Sequence, residues 1–104
     1  GDWIIHVDIK SYEDSETAQI TFDEDVQFLL SGNSDWTQIN EIPRGFSGFL
    51  GYALTIDNLP RYMLETMHGN CNIIRMITDI GSDNPDQLIK MYRVWMASEF
   101  WPCW

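Results

Sequence analysis

A nearly continuous apolar run near the middle of the chain places the strongest constraint on its fold. The run consists of Ile73, Ile74, Met76, Ile77 and Ile80. A strand without a polar face is typical of a sheet that is covered on both sides. No apolar run approaches the roughly 20 residues that a membrane-spanning helix needs. The sequence therefore predicts a buried central strand and no transmembrane helix.

Alternation of apolar and polar residues predicts further strands around this central one. Residues 3–10 alternate throughout, residues 17–22 do so over a shorter stretch, and residues 46–56 place large apolar side chains opposite small ones. A short strand is also expected around residues 36–39. The polar segment 11–16 would then be the loop of a hairpin that joins the first two strands.

Three segments carry the signals of helices. Apolar residues recur at helical spacing before Gly32, which predicts a short helix over residues 24–31. A second helix is expected to begin at Asp57, where a capping side chain precedes a proline. Residues 85–99 fit a helix whose polar side chains form one stripe, although a strand from Leu88 to Met96 would also fit. We interpret this last segment as a helix.

The predicted class is α+β, because the strands do not alternate regularly with helices. A chain of 104 residues supports one domain with a modest core. We therefore expect a single acidic domain over residues 1–104, built from an antiparallel sheet and two or three short helices.

The net charge of the chain is −10, and it is unevenly distributed. Residues 1–41 hold ten carboxylates and a single Lys or Arg, which is Lys10. Six Lys and Arg residues against sixteen acids argue against direct binding of nucleic acid, which depends on neutralising phosphates. A concentrated field of one sign destabilises a compact state through self-repulsion. Such a field either keeps the protein soluble or attracts a basic partner.

We identify nine residues as candidates for contact with such a partner. They are Asp8, Glu13, Asp14, Glu16, Asp23, Glu24, Asp25, Asp35 and Trp36. Trp36 lies in a polar stretch and is expected to be partly exposed, as an interface anchor would be. Residues 23–25 have a second interpretation, because acids in the first turn of a helix are stabilised by its macrodipole.

No motif in the sequence specifies catalysis or a metal site. His6 and Asp8 share a face of the first strand and could form a base and its orienting partner, but a lone histidine on a half-exposed strand is usually a surface residue. Ser47 lacks the glycine two positions later that a nucleophile elbow requires. We therefore expect no enzyme activity, no cofactor and no metal.

The chain has two cysteines, Cys71 and Cys103. A single bridge between them would fit an oxidising compartment, whereas two reduced thiols would fit the cytosol. The sequence leaves both states open.

The segments Glu13–Glu16 and Asp23–Asp25, together with Asp35 and Trp36, resemble the small acidic immunity proteins of bacterial toxin–immunity pairs. That class includes the contact-dependent growth inhibition and colicin systems. The resemblance implies a cytoplasmic protein that binds a basic cognate toxin, most often a nuclease, and neutralises it in a tight heterodimer. Opposite electrostatic fields would speed that association.

Two other functions are compatible with the same sequence features. One is a phage-encoded mimic of nucleic acid that blocks a restriction or CRISPR effector through the same carboxylates. The other is a secreted carbohydrate-binding module that uses Trp36 as a stacking platform and has its two cysteines oxidised.

Overall fold

The computed structural model describes residues 4–39, 46–79 and 85–97 of the chain. Its strands are β1 (Ile5–Ser11), β2 (Thr37–Gln38), β3 (Phe49–Leu54), β4 (Pro60–His68) and β5 (Asn72–Thr78), and its helices are α1 (Ser15–Leu30) and α2 (Asp86–Ala97). The strands form one antiparallel sheet in the order β1-β5-β4-β3-β2. This arrangement confirms the predicted α+β class with an antiparallel sheet.

The two helices cover opposite faces of the sheet. Adjacent residues of a strand point to opposite faces, and in β4 these residues are Met63 and Leu64. Met63 belongs to a buried cluster with Leu29 of α1, whereas Leu64 belongs to a second cluster with Leu88 of α2. Strand β5 is therefore covered on both sides, which explains the apolar run that predicted it.

Helix α1 is the largest departure from the sequence prediction. The predicted strand over 17–22 is wrong, and the helix predicted over 24–31 is confirmed over 24–30 but begins nine residues earlier, because residues 15–30 form one continuous helix. Ile20, which the strand interpretation placed in the core, is 51% exposed. The predicted hairpin is absent as well, since residues 12–14 lead from β1 directly into the helix.

Spacing explains why α1 was misread. Ala18 and Phe22 are both buried and lie four positions apart, a separation that fits a helix and a strand equally well. Leu29 distinguishes the helix from the strand, because it lies on the same face as Ala18 and Phe22 only if the segment is helical. The side chain of Asp14 starts the helix by accepting a hydrogen bond of 2.7 Å from the backbone N–H of Thr17.

The helix predicted to begin at Asp57 is also wrong, because residues 55–59 form the turn of the β3–β4 hairpin. The N–H of Asn58 donates to the carbonyl of Thr55 at 2.9 Å. Asn58 has a φ of 61°, a left-handed conformation that Asn tolerates better than most residues. Pro60 is the first residue of β4, a position where a sheet accepts proline.

The remaining predicted elements agree with the structure. Helix α2 confirms the helical interpretation of 85–97, and positions 98 and 99 lie outside the described residues. Strand β2 confirms the short strand expected around 36–39. Within the described residues, no helix combines the length and the apolar composition needed to cross a membrane.

Candidate protein-binding surface

Helix α1 carries exposed carboxylates on the side that faces away from the sheet. Its buried residues are Ala18, Phe22 and Leu29. Five of the nine candidate residues are exposed at its start or on its outer side: Glu13, Asp14, Glu16, Asp23 and Glu24. We call these five residues the acidic face. No Lys, Arg or His occurs between positions 11 and 39, so no positive side chain of this segment offsets their charge.

The start of α1 stabilises its carboxylates through backbone geometry. The hydrogen bond from the Thr17 N–H lowers the pKa of the Asp14 carboxyl below its ordinary value, so Asp14 is charged at neutral pH. Glu16 lies in the first turn, where the helix macrodipole favours a negative charge. Further along, Asp23 accepts a hydrogen bond of 2.9 Å from the amide of Gln19.

Asp23 and Glu24 lie in the middle of α1 and not in its first turn. The macrodipole effect falls off within the first turn of a helix. The structural interpretation of these residues as first-turn acids is therefore wrong. Their charges do not help to start the helix, and their exposure leaves solubility or partner binding as their role.

Two of the candidate acids lie elsewhere, between α1 and the sheet. Asp8 of β1 and Asp25 of α1 line a cavity of about 20 Å³ together with Lys10, Glu65 and Arg75. Arg75 bonds one oxygen of Glu65, with Nη2–Oε1 and Nε–Oε1 distances of 2.6 and 2.7 Å. Since Asp8 and Asp25 face two cations, we exclude them from the acidic face.

Glu65 is a buried carboxylate that the sequence analysis missed. Only 1% of its surface is exposed, and its Oε2 atom has no hydrogen-bond partner among the described residues. Burial raises the pKa of this carboxyl, while the charge of Arg75 acts in the opposite direction. The signal was present in the sequence, because strand alternation places Glu65 on the same face as Met63 and Met67. Glu65 was not identified as a buried strand residue, because the segment that begins at Asp57 was interpreted as a helix.

Asp35 and Trp36 lie beyond the C-terminal end of α1. The helix has 16 residues, so this end is roughly 24 Å from the first turn. Trp36 is half-buried, as predicted, and packs against the cluster that contains Leu29 and Phe49. The guanidinium carbon of Arg61 lies 5.7 Å from the centroid of the tryptophan ring. The nine candidate residues therefore do not form one continuous surface.

Large apolar side chains are exposed on α1, one among its carboxylates and one beyond the last of them. Ile20 and Phe28 are 51% and 58% exposed. Residues three and four apart are neighbours on a helix surface, so Ile20 adjoins Glu16, Asp23 and Glu24. Single exposed apolar residues are common on protein surfaces, and their position beside the carboxylates would let them contribute apolar contacts to an interface on this side of the helix. Phe28 could have been found from the sequence, because it falls off the stripe of residues 22, 26 and 29.

A groove of about 720 Å³ runs beside the acidic face, between the N-terminal half of α1 and the end of β4. Glu16, Gln19 and Ile20 line it from the helix, and Thr66 and Asn70 are among the residues on its other side. The groove thus offers one carboxylate, several polar groups and an apolar wall. Its chemistry matches the stem and the charged end of a lysine or arginine side chain.

The geometry does not indicate a metal centre. Among the described residues, no group of three or more His, Cys, Asp or Glu side chains could hold a metal ion. Comparisons of the chain with models of known protein families, with curated proteins and with solved structures found no match.

Proposed function

We propose that this chain is an immunity- or antitoxin-type inhibitor, which binds a basic toxin, most often a nuclease, and neutralises it. The observation that carries the proposal is the outer side of α1. It combines five exposed carboxylates with exposed Ile20 and Phe28, and no basic residue occurs between positions 11 and 39.

The chemistry of the partner follows from the charge of this surface. A nuclease presents Lys and Arg side chains to the phosphates of its substrate. A rigid helix with carboxylates on one side can occupy such a site as a polyanion, and opposite fields raise association rates toward about 10⁸–10⁹ M⁻¹s⁻¹. Ile20 and Phe28 would add the desolvated contacts that usually dominate binding energy.

The secreted carbohydrate-binding module is a second candidate, because Cys71 is disulfide-bonded. The only other cysteine of the sequence is Cys103, which lies outside the described residues. The geometry of Trp36 weighs against a sugar platform. The guanidinium of Arg61 lies over its ring and the core cluster packs against it, so less of the ring is available to a sugar than on an exposed platform.

The cellular location is separable from the inhibitor function. The cytoplasmic location implied by the resemblance remains a prediction, and the disulfide of Cys71 argues against it because disulfides persist in oxidising compartments. We expect thiol titration of the protein, denatured without reductant, to detect no free thiol. Two free thiols per chain would remove this argument and favour the cytosol.

The acidic face is tested by charge reversal in the middle of α1. We expect the double variant Asp23→Lys/Glu24→Lys to bind the partner at least roughly tenfold more weakly, and with a flatter dependence on salt. Lys has a higher helix propensity than Asp, so the variant should keep its fold. The matched control for the single variant Glu24→Lys is Asp57→Lys, which changes the net charge by the same amount at an exposed position in the β3–β4 turn. Equal losses of affinity in these two single variants would remove α1 from the interface.

The partner itself can be captured from a lysate of the source cells on the immobilised chain and eluted with salt. The proposal expects a basic nuclease whose cleavage of RNA or DNA is blocked by about one equivalent of this chain. Binding curves at several salt concentrations then compare the variants. Retention of neutral proteins alone, or binding to oligosaccharides with no basic partner, would contradict the proposal.

A further inference from the structure

Among the described residues, strand β1 forms an unpaired edge of the sheet. It is the outermost strand of the order, and among residues 4–39, 46–79 and 85–97 no strand pairs with its outer side. The opposite edge, β2, has only two residues. Proteins protect exposed edges with short strands, charged side chains, prolines or bulges. In β1 the charged side chains of Asp8 and Lys10 lie on the side of α1 only. Strand β1 has seven residues, contains no proline, and pairs with β5 in unbroken register from Ile5 to Ser11.

The hydrogen bonds at both ends of β1 show which backbone groups point outward. The N–H of Asp79 donates to the carbonyl of Ile4 at 3.1 Å, and the N–H of Tyr12 donates to the carbonyl of Cys71 at 2.9 Å. In an antiparallel ladder, hydrogen-bonded and non-hydrogen-bonded pairs alternate. Even-numbered residues of β1 therefore bond β5, whereas odd-numbered residues direct their N–H and C=O groups toward the open edge.

The side chains of the odd-numbered residues leave an apolar margin at this edge. Val7 and Ile9 are 43% and 39% exposed, although the residues paired with them, Met76 and Ile74, are fully buried. Helix α2 packs mainly on β4 and β5. The apolar surface on its side of the sheet continues into β1, where Ile5 packs against the cluster that contains Leu88 and the next two odd-numbered residues stay exposed. A further strand beside β1 would cover both side chains.

We propose that β1 pairs antiparallel with β1 of a second copy of this chain, about a twofold axis at Val7. This register places Val7 opposite Val7 and Ile5 opposite Ile9 of the other copy, so apolar side chains meet on the side of α2. On the side of α1 it places His6 opposite Asp8. The sheet would then run through both copies.

Neighbouring registers are less favourable. A twofold axis at Asp8 would place the two Asp8 carboxylates directly opposite each other, and like charges in that position destabilise a sheet. An axis at Ile9 would pair Val7 with Ser11 and lose an apolar contact on each side of the axis. Of these three registers, the one about Val7 is the most self-complementary.

The dependence on salt concentration distinguishes this self-association from the proposed toxin complex. Each copy has a net charge of −10, so long-range repulsion opposes the dimer, and salt screens that repulsion. The dimer should therefore tighten as salt is added, whereas binding to a basic partner should weaken. The dimer does not depend on the proposed function, and either one can fail while the other stands.

Sedimentation equilibrium of the full chain, over a range of protein and salt concentrations, tests the dimer. The N–H of Val7 points outward, so Val7→Pro removes a bond to the second copy without removing one to β5. We expect this variant to dimerise at least roughly tenfold more weakly. Val7→Lys, which keeps the backbone and places like charges at the axis, should give a similar loss. The control is Ile56→Lys, which removes a fully exposed apolar side chain from the β3–β4 turn.

Concentration-dependent dimers that both Val7 variants weaken and Ile56→Lys does not would support the proposal. A chain that stays monomeric at every protein and salt concentration would overturn it. Dimers that Ile56→Lys abolishes, or that both Val7 variants leave intact, would also overturn it, because another surface would then hold the copies together.

Discussion

Replacement of Arg75 by methionine is expected to lower the free energy of unfolding by about 2–3 kcal/mol at neutral pH, because it leaves the buried Glu65 carboxylate without its charged partner. The loss is smaller than for a fully buried ion pair, since 39% of the Arg75 side chain is exposed. Arg75 provides two short hydrogen bonds to Glu65, whose exposed fraction is only 1%. Methionine retains an apolar stem but no donor. The carboxylate would remain buried opposite Asp25, with only Lys10 as a nearby cation. Denaturant unfolding of both proteins measures the loss.

The loss should depend on pH in a defined direction. Burial raises the pKa of Glu65 above its ordinary value of 4.5, so the folded state holds this proton more tightly than the unfolded state. Stability from this group is therefore fully present below its ordinary pKa and is lost as pH rises through the raised pKa. Without Arg75 the pKa should rise further. The deficit of the Arg75→Met variant should accordingly shrink as the buffer is acidified.

Two further variants isolate the buried charge. Adding Glu65→Met to Arg75→Met removes the uncompensated carboxylate, and we expect the double variant to recover most of the lost stability. The matched control is Arg61→Met, which removes a cation–π contact with Trp36 and should cost about 0.5–1 kcal/mol. Equal losses for the two arginines, or a loss at Arg75 that does not change with pH, would contradict this account of the ion pair.

The fold class was predictable because some segments fit only one period. The apolar run of β5 leaves no polar face for a helix, and the alternation of residues 3–10 is strict enough to fix β1. The errors arose at α1 and β4, where the apolar residues lie four positions apart. Residues four positions apart lie on the same face of a helix and also on the same face of a strand. Only more distant contacts decide such segments: Leu29 on the α1 side of the sheet, and the register of β4 with β3 and β5.

The candidate site was predictable in charge but not in shape. The sequence showed where the acidic residues are concentrated, and most of the candidate acids are exposed. Which of them face outward and which face the sheet depended on α1 being a helix, because the same turn that exposes Asp23 and Glu24 directs the half-buried Asp25 toward Arg75. Arg61 was likewise not foreseeable at Trp36, since 25 positions separate them in the sequence.

Gly48 is expected to be the backbone position least able to accept a side chain. It precedes β3 with a φ of 140°, a conformation that residues with a Cβ rarely adopt. A Cβ there would overlap the carbonyl oxygen of Glu65 and lie 3.2 Å from the Cα of Thr66. Both atoms belong to the backbone of β4, which cannot move aside without breaking its ladder.

We therefore expect Gly48→Ala to cost about 3–5 kcal/mol, as the sum of backbone strain and overpacking. Gly32→Ala provides the control, because Gly32 also has a positive φ, of 84°, but a Cβ there would meet nothing within 4 Å. That variant should lose only the conformational part, about 1–2 kcal/mol. The difference between the two losses in denaturant unfolding measures the close approach of Gly48 to β4. Equal losses would mean that Gly48 does not approach the backbone of β4 at Glu65 as closely as the structure has it.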